Sequence, residues 1–242
     1  MKKTVVLSAL LACATSVWAA DSAIQPSATE SSLRGWEIGT RVIHTELQKT
    51  KQGRGTQING DWGGTYLGSL NYIDEEQDYV PSRIYIQYFF SDFLGAGLSY
   101  DKIEAKTGEK KRGGDPALSG PGDGNVGGEG PIAYLVCRIP NNSIFVPFAE
   151  AGVAYYFSYF NENDWSDGGR RFMKTEDTAA LVLAIGCDVK LTENLSINAY
   201  LRTVEGVDID TESWRRGAHS PERTGSFPLD YYGVGVGVKY AF

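Results

Sequence analysis

Beyond its first 19 residues this sequence contains no apolar run long enough to cross a bilayer as a helix. Basic residues are also in deficit, with 23 Lys and Arg against 30 Asp and Glu and a formal charge of −7. That balance argues against nucleic acid as a partner. Cysteine is scarce, and Cys137 and Cys187 alone lie outside the N-terminal segment. Two cysteines do not make a disulfide scaffold in a chain of this size. Histidine is limited to His44 and His219. Mean hydropathy is negative, as in a soluble exported protein. A transmembrane barrel gives the same value, because only alternate strand residues meet lipid.

What is present begins with an export signal. Lys2 and Lys3 precede the apolar run Val5 to Ala12, and Val17-Trp18-Ala19 is a small-residue cleavage pattern. Such a run is too short for a membrane span and reads as a secretory signal peptide, residues 1–19, cleaved after Ala19. Leu10-Leu11-Ala12-Cys13 offers a lipoprotein processing site as the alternative. Cleavage after Ala19 leaves 21 basic and 30 acidic residues, a formal charge of −9. Residues 20–34 form a short polar lead expected in the periplasm, and residues 35–242 are one domain by length.

Within that domain the dominant signal is period-two alternation. In Tyr232 to Phe242, one face carries Tyr232, Val234, Val236, Val238, Tyr240 and Phe242; the other carries Gly233, Gly235, Gly237, Lys239 and Ala241. One greasy face and one small or polar face suit a wall between lipid and a narrow lumen. The pattern recurs near Gly35 to Leu47, Val80 to Phe90, Leu94 to Ala105, Pro131 to Ile139, Ile144 to Ser158, Asp177 to Lys190 and Leu195 to Val207. A soluble sandwich would carry many Lys, Glu and Asp on its wet faces. Here the faces opposite the apolar rows hold mostly Gly, Ser, Tyr and isolated charges.

Connections alternate in length. Ser91 to Phe93, Pro140 to Ser143 and Thr192 to Asn194 are tight turns rich in Asp, Asn and Ser. Gln48 to Tyr79, Lys106 to Gly130, Tyr159 to Glu176 and Asp208 to Leu229 are long and polar, with Gly113 to Gly130 read as a mobile Gly-rich loop. Short periplasmic turns and long external loops are the asymmetry of an outer-membrane barrel. The expected fold is therefore all-β: an eight-stranded antiparallel up-and-down transmembrane barrel with four long external loops. Ten strands remain open, with Thr65 to Tyr72 and Thr56 to Asn59 as the extra pair. Phe90, Phe93 and Phe145 fall at the short-turn end, and Tyr155, Phe157 and Tyr232 at the long-loop end, as candidate aromatic girdles.

The terminal strand ending Tyr240-Ala241-Phe242, with this strand plan, resembles the OmpA, OmpX and OmpW superfamily of small outer-membrane barrels. The resemblance covers nearly all of the mature chain as architecture, without a motif tied to one member. It implies that Tyr240 and Phe242 form the signal read by the barrel-assembly machinery. It also implies an integral place in the outer membrane, among lipid and lipopolysaccharide. The periplasmic peptidoglycan-binding domain of OmpA proteins is not expected.

Parity points Glu37, Arg41, Arg83, Asp101, Arg138, Glu150, Asp188, Arg202 and Lys239 into the lumen. Charges in so narrow an interior must pair, so an ion-pair network is expected. It either plugs the bore or gates it by exchanging partners. Catalytic chemistry is not expected: His44 with Glu46, and His219 next to Ser220, match no nucleophile elbow. Neither a cofactor nor a metal is expected, since Asn161 to Asp167 does not match a calcium loop and the Gly-rich stretch lacks the Gly-Lys-Ser/Thr of a phosphate loop. The reading is a structural or surface-interaction role, with an unknown ligand at the external loops. A narrow OmpW-like channel for small or hydrophobic solutes is the alternative, and a lipid A-modifying enzyme the third.

Overall fold

The computed structural model describes residues 34–48, 54–56, 72–75, 80–108, 121–162, 171–221 and 223–242. Its strands in chain order are β1 (Gly35–Leu47), β2 (Arg54–Thr56), β3 (Tyr72–Glu75), β4 (Val80–Phe89), β5 (Leu94–Gly108), β6 (Pro121–Arg138), β7 (Phe145–Glu162), β8 (Arg171–Thr175), β9 (Thr178–Lys190), β10 (Leu195–Glu205), β11 (Asp208–Arg215), β12 (Arg223–Pro228) and β13 (Tyr231–Ala241).

Eight of these close a barrel in the order β1-β4-β5-β6-β7-β9-β10-β13, and β13 returns to β1. Every ladder is antiparallel, and closure runs from Glu37↔Ala241 to Leu47↔Tyr231. Closure pairs each barrel strand with a neighbour on both sides over most of its length, as hydrocarbon demands. The three short turns are tied by their own side chains. Ser91 Oγ accepts from Leu94 N at 3.0 Å, Asn141 Oδ1 from Ser143 N at 2.8 Å, and Thr192 Oγ1 from Leu195 N at 3.0 Å. These are the local bonds for which Asn and Ser/Thr are favoured in turns.

Outward faces are apolar and exposed: Trp36, Ile38 and Val42 on β1, Leu98 on β5, Leu135 on β6, Val153 on β7, Leu201 on β10, and Val234 and Val236 on β13. Inward faces pack small residues against tyrosines. A Cβ on Gly39 would stand 2.4 Å from the Tyr85 ring, one on Gly97 2.4 Å from that of Tyr134, and one on Gly235 2.3 Å from that of Tyr200. Glycine on one strand thus admits a ring from its neighbour, which lets so narrow a lumen close-pack.

The external side departs from the long-loop expectation. Residues 121–130 are not a mobile loop but the first half of β6, which pairs with β5 as far as Gly108↔Pro121 and with β7 as far as Gly124↔Glu162. Glycine serves here for close approach: a Cβ on Gly130 would meet Tyr155 O at 2.0 Å, and one on Gly127 the Tyr159 ring at 2.6 Å. Residues 208–229 hold a hairpin, β11–β12, turned at Gly217 with φ 85°. It lies in a second sheet, ordered β2-β12-β11-β8. Arg54–Thr56 joins that sheet through Thr224↔Thr56 and not the barrel wall, so the ten-strand alternative falls. Residues 1–33, holding the expected signal peptide and most of the polar lead, and residues 65–71 lie outside the described residues.

Candidate functional site

Each barrel strand sends every second side chain inward, so its lumen residues rise in steps of two. The charged ones stack in three layers. All nine residues assigned to the lumen by parity are buried: Glu37, Arg41, Arg83, Asp101, Arg138, Glu150, Asp188, Arg202 and Lys239.

In the layer nearest the short turns, Glu37 is bonded by Arg138 Nη1 at 2.7 Å, Lys239 Nζ at 2.9 Å and Gln87 Nε2 at 2.6 Å. Lys239 also reaches Asp188 at 2.6 Å. The Arg138 guanidinium lies 3.5 Å from the centre of the Phe89 ring. In the middle layer Arg41 makes a forked pair with Glu150, at 2.6 and 3.2 Å. Its guanidinium sits between the rings of Tyr85 and Tyr200, 4.2 and 4.5 Å from their centres. The planar, always charged guanidinium suits that slot, where it can stack and bond at once. In the upper layer Asp101 accepts from Tyr156 Oη at 2.6 Å and from Tyr231 Oη, and forms an ion pair with Arg83. Arg202 Nη1 stands 3.8 Å from the same carboxylate.

A cavity of about 10 Å3, room for about one water molecule, lies between the lower and middle layers, lined by Arg41, Gln87, Glu150 and Lys239 among others. Above the upper layer the interior turns apolar. Ile43, Leu47, Ile103 and Val204 from the wall meet Val207, Ile209, Phe227 and Leu229 from the extramembrane hairpin in one buried cluster.

Some of this lay beyond the lumen assignments. Tyr231 precedes the expected start of the last strand, and its hydroxyl is the second phenol on Asp101. Asp230 anchors the base of the hairpin, accepting from Gly206 N at 2.7 Å and Val207 N at 3.0 Å. The apolar mouth did have a signal: after Arg41 the inward parity of β1 passes to Ile43 and Leu47.

The wall itself is interrupted. The β4–β5 ladder runs from Phe89↔Gly95 to Tyr85↔Ser99 and stops. The β3–β5 ladder takes over only at Glu75↔Ala105. Among the described residues, Tyr100 to Glu104 therefore lack a strand partner on that side. Pro81, near the start of β4, has no N–H to offer a ladder, and β4 also shifts register there against Arg41 and Ile43 of β1.

The remaining assigned residues are dispersed. Phe90, Phe93, Phe145, Tyr155, Phe157 and Tyr232 are all exposed on the outside. Tyr240 is likewise outside, its ring 5.1 Å from that of Phe242, and Phe242 N donates to Trp36 O at 2.9 Å. Cys137 and Cys187 are free thiols on β6 and β9, separated by β7. His44 and Glu46 are exposed on β1, while His219 and Ser220 are exposed between β11 and β12. Among the described residues no cluster of His, Cys, Asp or Glu is placed to hold a metal.

Solved structures share the fold of this chain. The outer membrane protein OprG from Pseudomonas aeruginosa superposes with a TM-score of 0.62 at 17% identity, over 86% of this chain and 97% of that one. The outer membrane protein AlkL, solved in DMPC lipid bilayers, gives 0.55 at 16% identity, over 90% and 95%. The fold is that of the small outer-membrane barrels. No family model matches the chain, and no curated protein does. At these identities the likeness to outer-membrane barrels speaks for architecture alone.

Proposed function

We propose that this protein is an integral outer-membrane barrel that is closed to ions along its axis and works through its external end. The observation that carries this reading is the filled bore: three layers of buried ion pairs follow one another from the short turns outward. An ion moving along the axis would have to break several desolvated pairs in succession, and unpairing a buried charge costs several kcal/mol. Planar-bilayer recording tests it. The expected trace stays at baseline, and regular single-channel steps would overturn the closed bore. The rest of the reading fits export through a cleaved signal peptide, assembly through Tyr240 and Phe242, girdles of Phe90, Phe93, Phe145, Tyr155, Phe157 and Tyr232 in lipid and lipopolysaccharide, and a non-enzymatic role at the surface, where the external loops would take a ligand. An unchanged lipid A mass on expression is the outcome expected of a non-enzyme.

The interruption between β4 and β5 favours a second reading, passage of apolar solutes. The buried cluster at the external mouth lies behind the unpaired stretch, with Ile103 on it facing inward and Tyr100 outward. Outside, the wall turns there from exposed Leu98 and Tyr100 to Lys102 and Glu104, 3.4 Å apart. That change marks an interface between hydrocarbon and polar surroundings. A solute entering the mouth could leave sideways at that level without crossing the charged layers. Cells expressing the protein should then take up an apolar fluorescent probe faster than a polar one of equal size; equal rates would remove this reading.

A further inference from the structure

We propose that Arg83 and Asp101 form a side-chain clasp across the β4–β5 interruption, and that releasing it opens the wall there. The argument begins with register. Continuing the ladder outward from Tyr85↔Ser99 would place Ile84 opposite Tyr100 and Arg83 opposite Asp101. No backbone pairing occurs at those positions among the described residues, yet their side chains meet. Arg83 Nη1 pairs with the Asp101 carboxylate, and Arg83 Nη2 donates to the backbone carbonyl of Lys102 at 2.9 Å. That carbonyl belongs to the bare stretch of β5. A guanidinium from β4 thus takes the place of a β4 amide, donating to a backbone carbonyl of β5 while its charge pairs with the neighbouring carboxylate.

The clasp is held from inside. Tyr156 on β7 and Tyr231 on β13 both donate to Asp101, and Arg202 on β10 stands on its other side. Three other strands therefore aim the carboxylate at β4. Among the described residues Arg83 is the one cross-link to Asp101 from β4, so its loss unfastens β4 from β5 beyond Tyr85↔Ser99, while Tyr156, Tyr231 and Arg202 still face the carboxylate. An ordinary rung of a sheet cannot be removed by a side-chain change; this one can. The consequence for solute passage rests on the second reading above, but the clasp does not.

The test uses the full-length mature protein in lipid vesicles. Cys137 and Cys187 are replaced by Ala, and spin labels are attached at Ile84→Cys and Tyr100→Cys, which flank the seam on its outer side. With Arg83 present the label-to-label distance should be short and narrow. In Arg83→Met it should lengthen or broaden by roughly one strand spacing, about 5 Å. Arg83→Gln, which keeps a donor for the Lys102 carbonyl, should fall between and serves if the Met variant does not fold. Arg138→Met is the control, because it removes a buried cation from the layer nearest the short turns, where Lys239 and Gln87 still bond Glu37, and should leave the distance unchanged. An unchanged distance in both Arg83 variants overturns the clasp, and so does equal broadening in Arg138→Met. Uptake of an apolar probe is read on the same variants: a wider seam with no faster uptake keeps the clasp and removes the passage reading.

Discussion

At the scale of the residue, the lumen is a set of charges that cannot be removed one at a time. Glu150 is the partner of Arg41, whose guanidinium meets no other carboxylate within bonding distance among the described residues and is stacked between two rings. Glu150→Gln should therefore lower unfolding free energy by about 3–5 kcal/mol, the usual cost of orphaning a buried charge. The double variant Arg41→Met with Glu150→Leu should lose less than half as much, since apolar groups of similar volume need no partner. Urea unfolding in vesicles, followed by tryptophan fluorescence, measures both; a double variant no better than the single one would sink the argument. Glycine makes the complementary case. Gly235 has space for a hydrogen only, with the Tyr200 ring 2.3 Å from where a Cβ would stand. Gly235→Ala should cost about 1–3 kcal/mol through overpacking, and the same assay reads it.

At the scale of the element, what the sequence displayed depended on what holds each strand. The barrel strands announce themselves because lipid on one side and a filled lumen on the other force strict alternation, as in Ile38-Gly39-Thr40-Arg41-Val42. That alternation also placed the nine charged residues inside, though which acid meets which base depends on strand order around the barrel. The extended half of β6 gave no such signal, because it lies beyond the lipid and its glycines are there for the rings of Tyr156 and Tyr159. The β11–β12 hairpin was masked by the outward Asp208, Asp210 and Glu212, although Ile209, Thr211 and Ser213 alternate with them and are buried. Asp230 ties that hairpin to the barrel by two backbone bonds. Asp230→Ala leaves those two donors without it, a local loss of about 1–3 kcal/mol. Hydrogen exchange should accelerate at residues 206 and 207 and along β11, while the amides of β1 and β13 keep their protection. Uniform acceleration would mean the hairpin and the barrel unfold as one unit.

At the scale of the whole molecule, the outer surface and the closure of the sheet decide where the chain can exist. A belt of exposed Ile, Val and Leu crosses every barrel strand, from Ile84 at 61% exposure to Val236 at 57%. Contiguous apolar surface on that scale is not stable in water, so the folded protein should require detergent or lipid. The barrel closes through β1 and β13, the first and last strands, so no part of the wall is complete until the C-terminal strand has found the N-terminal one. Phe242 sits at that seam: its amide bonds Trp36 O while its side chain stays 74% exposed. A side chain so exposed contributes little packing to the finished barrel, which leaves recognition before closure as its larger role. Phe242→Ala should therefore refold in detergent to the same heat-modifiable band on an unboiled gel as the parent protein. In cells it should reach the outer membrane several-fold less efficiently, as scored by the folded band in isolated membranes. Equal amounts of folded protein in both settings would remove Phe242 from assembly and leave it as an ordinary interfacial aromatic.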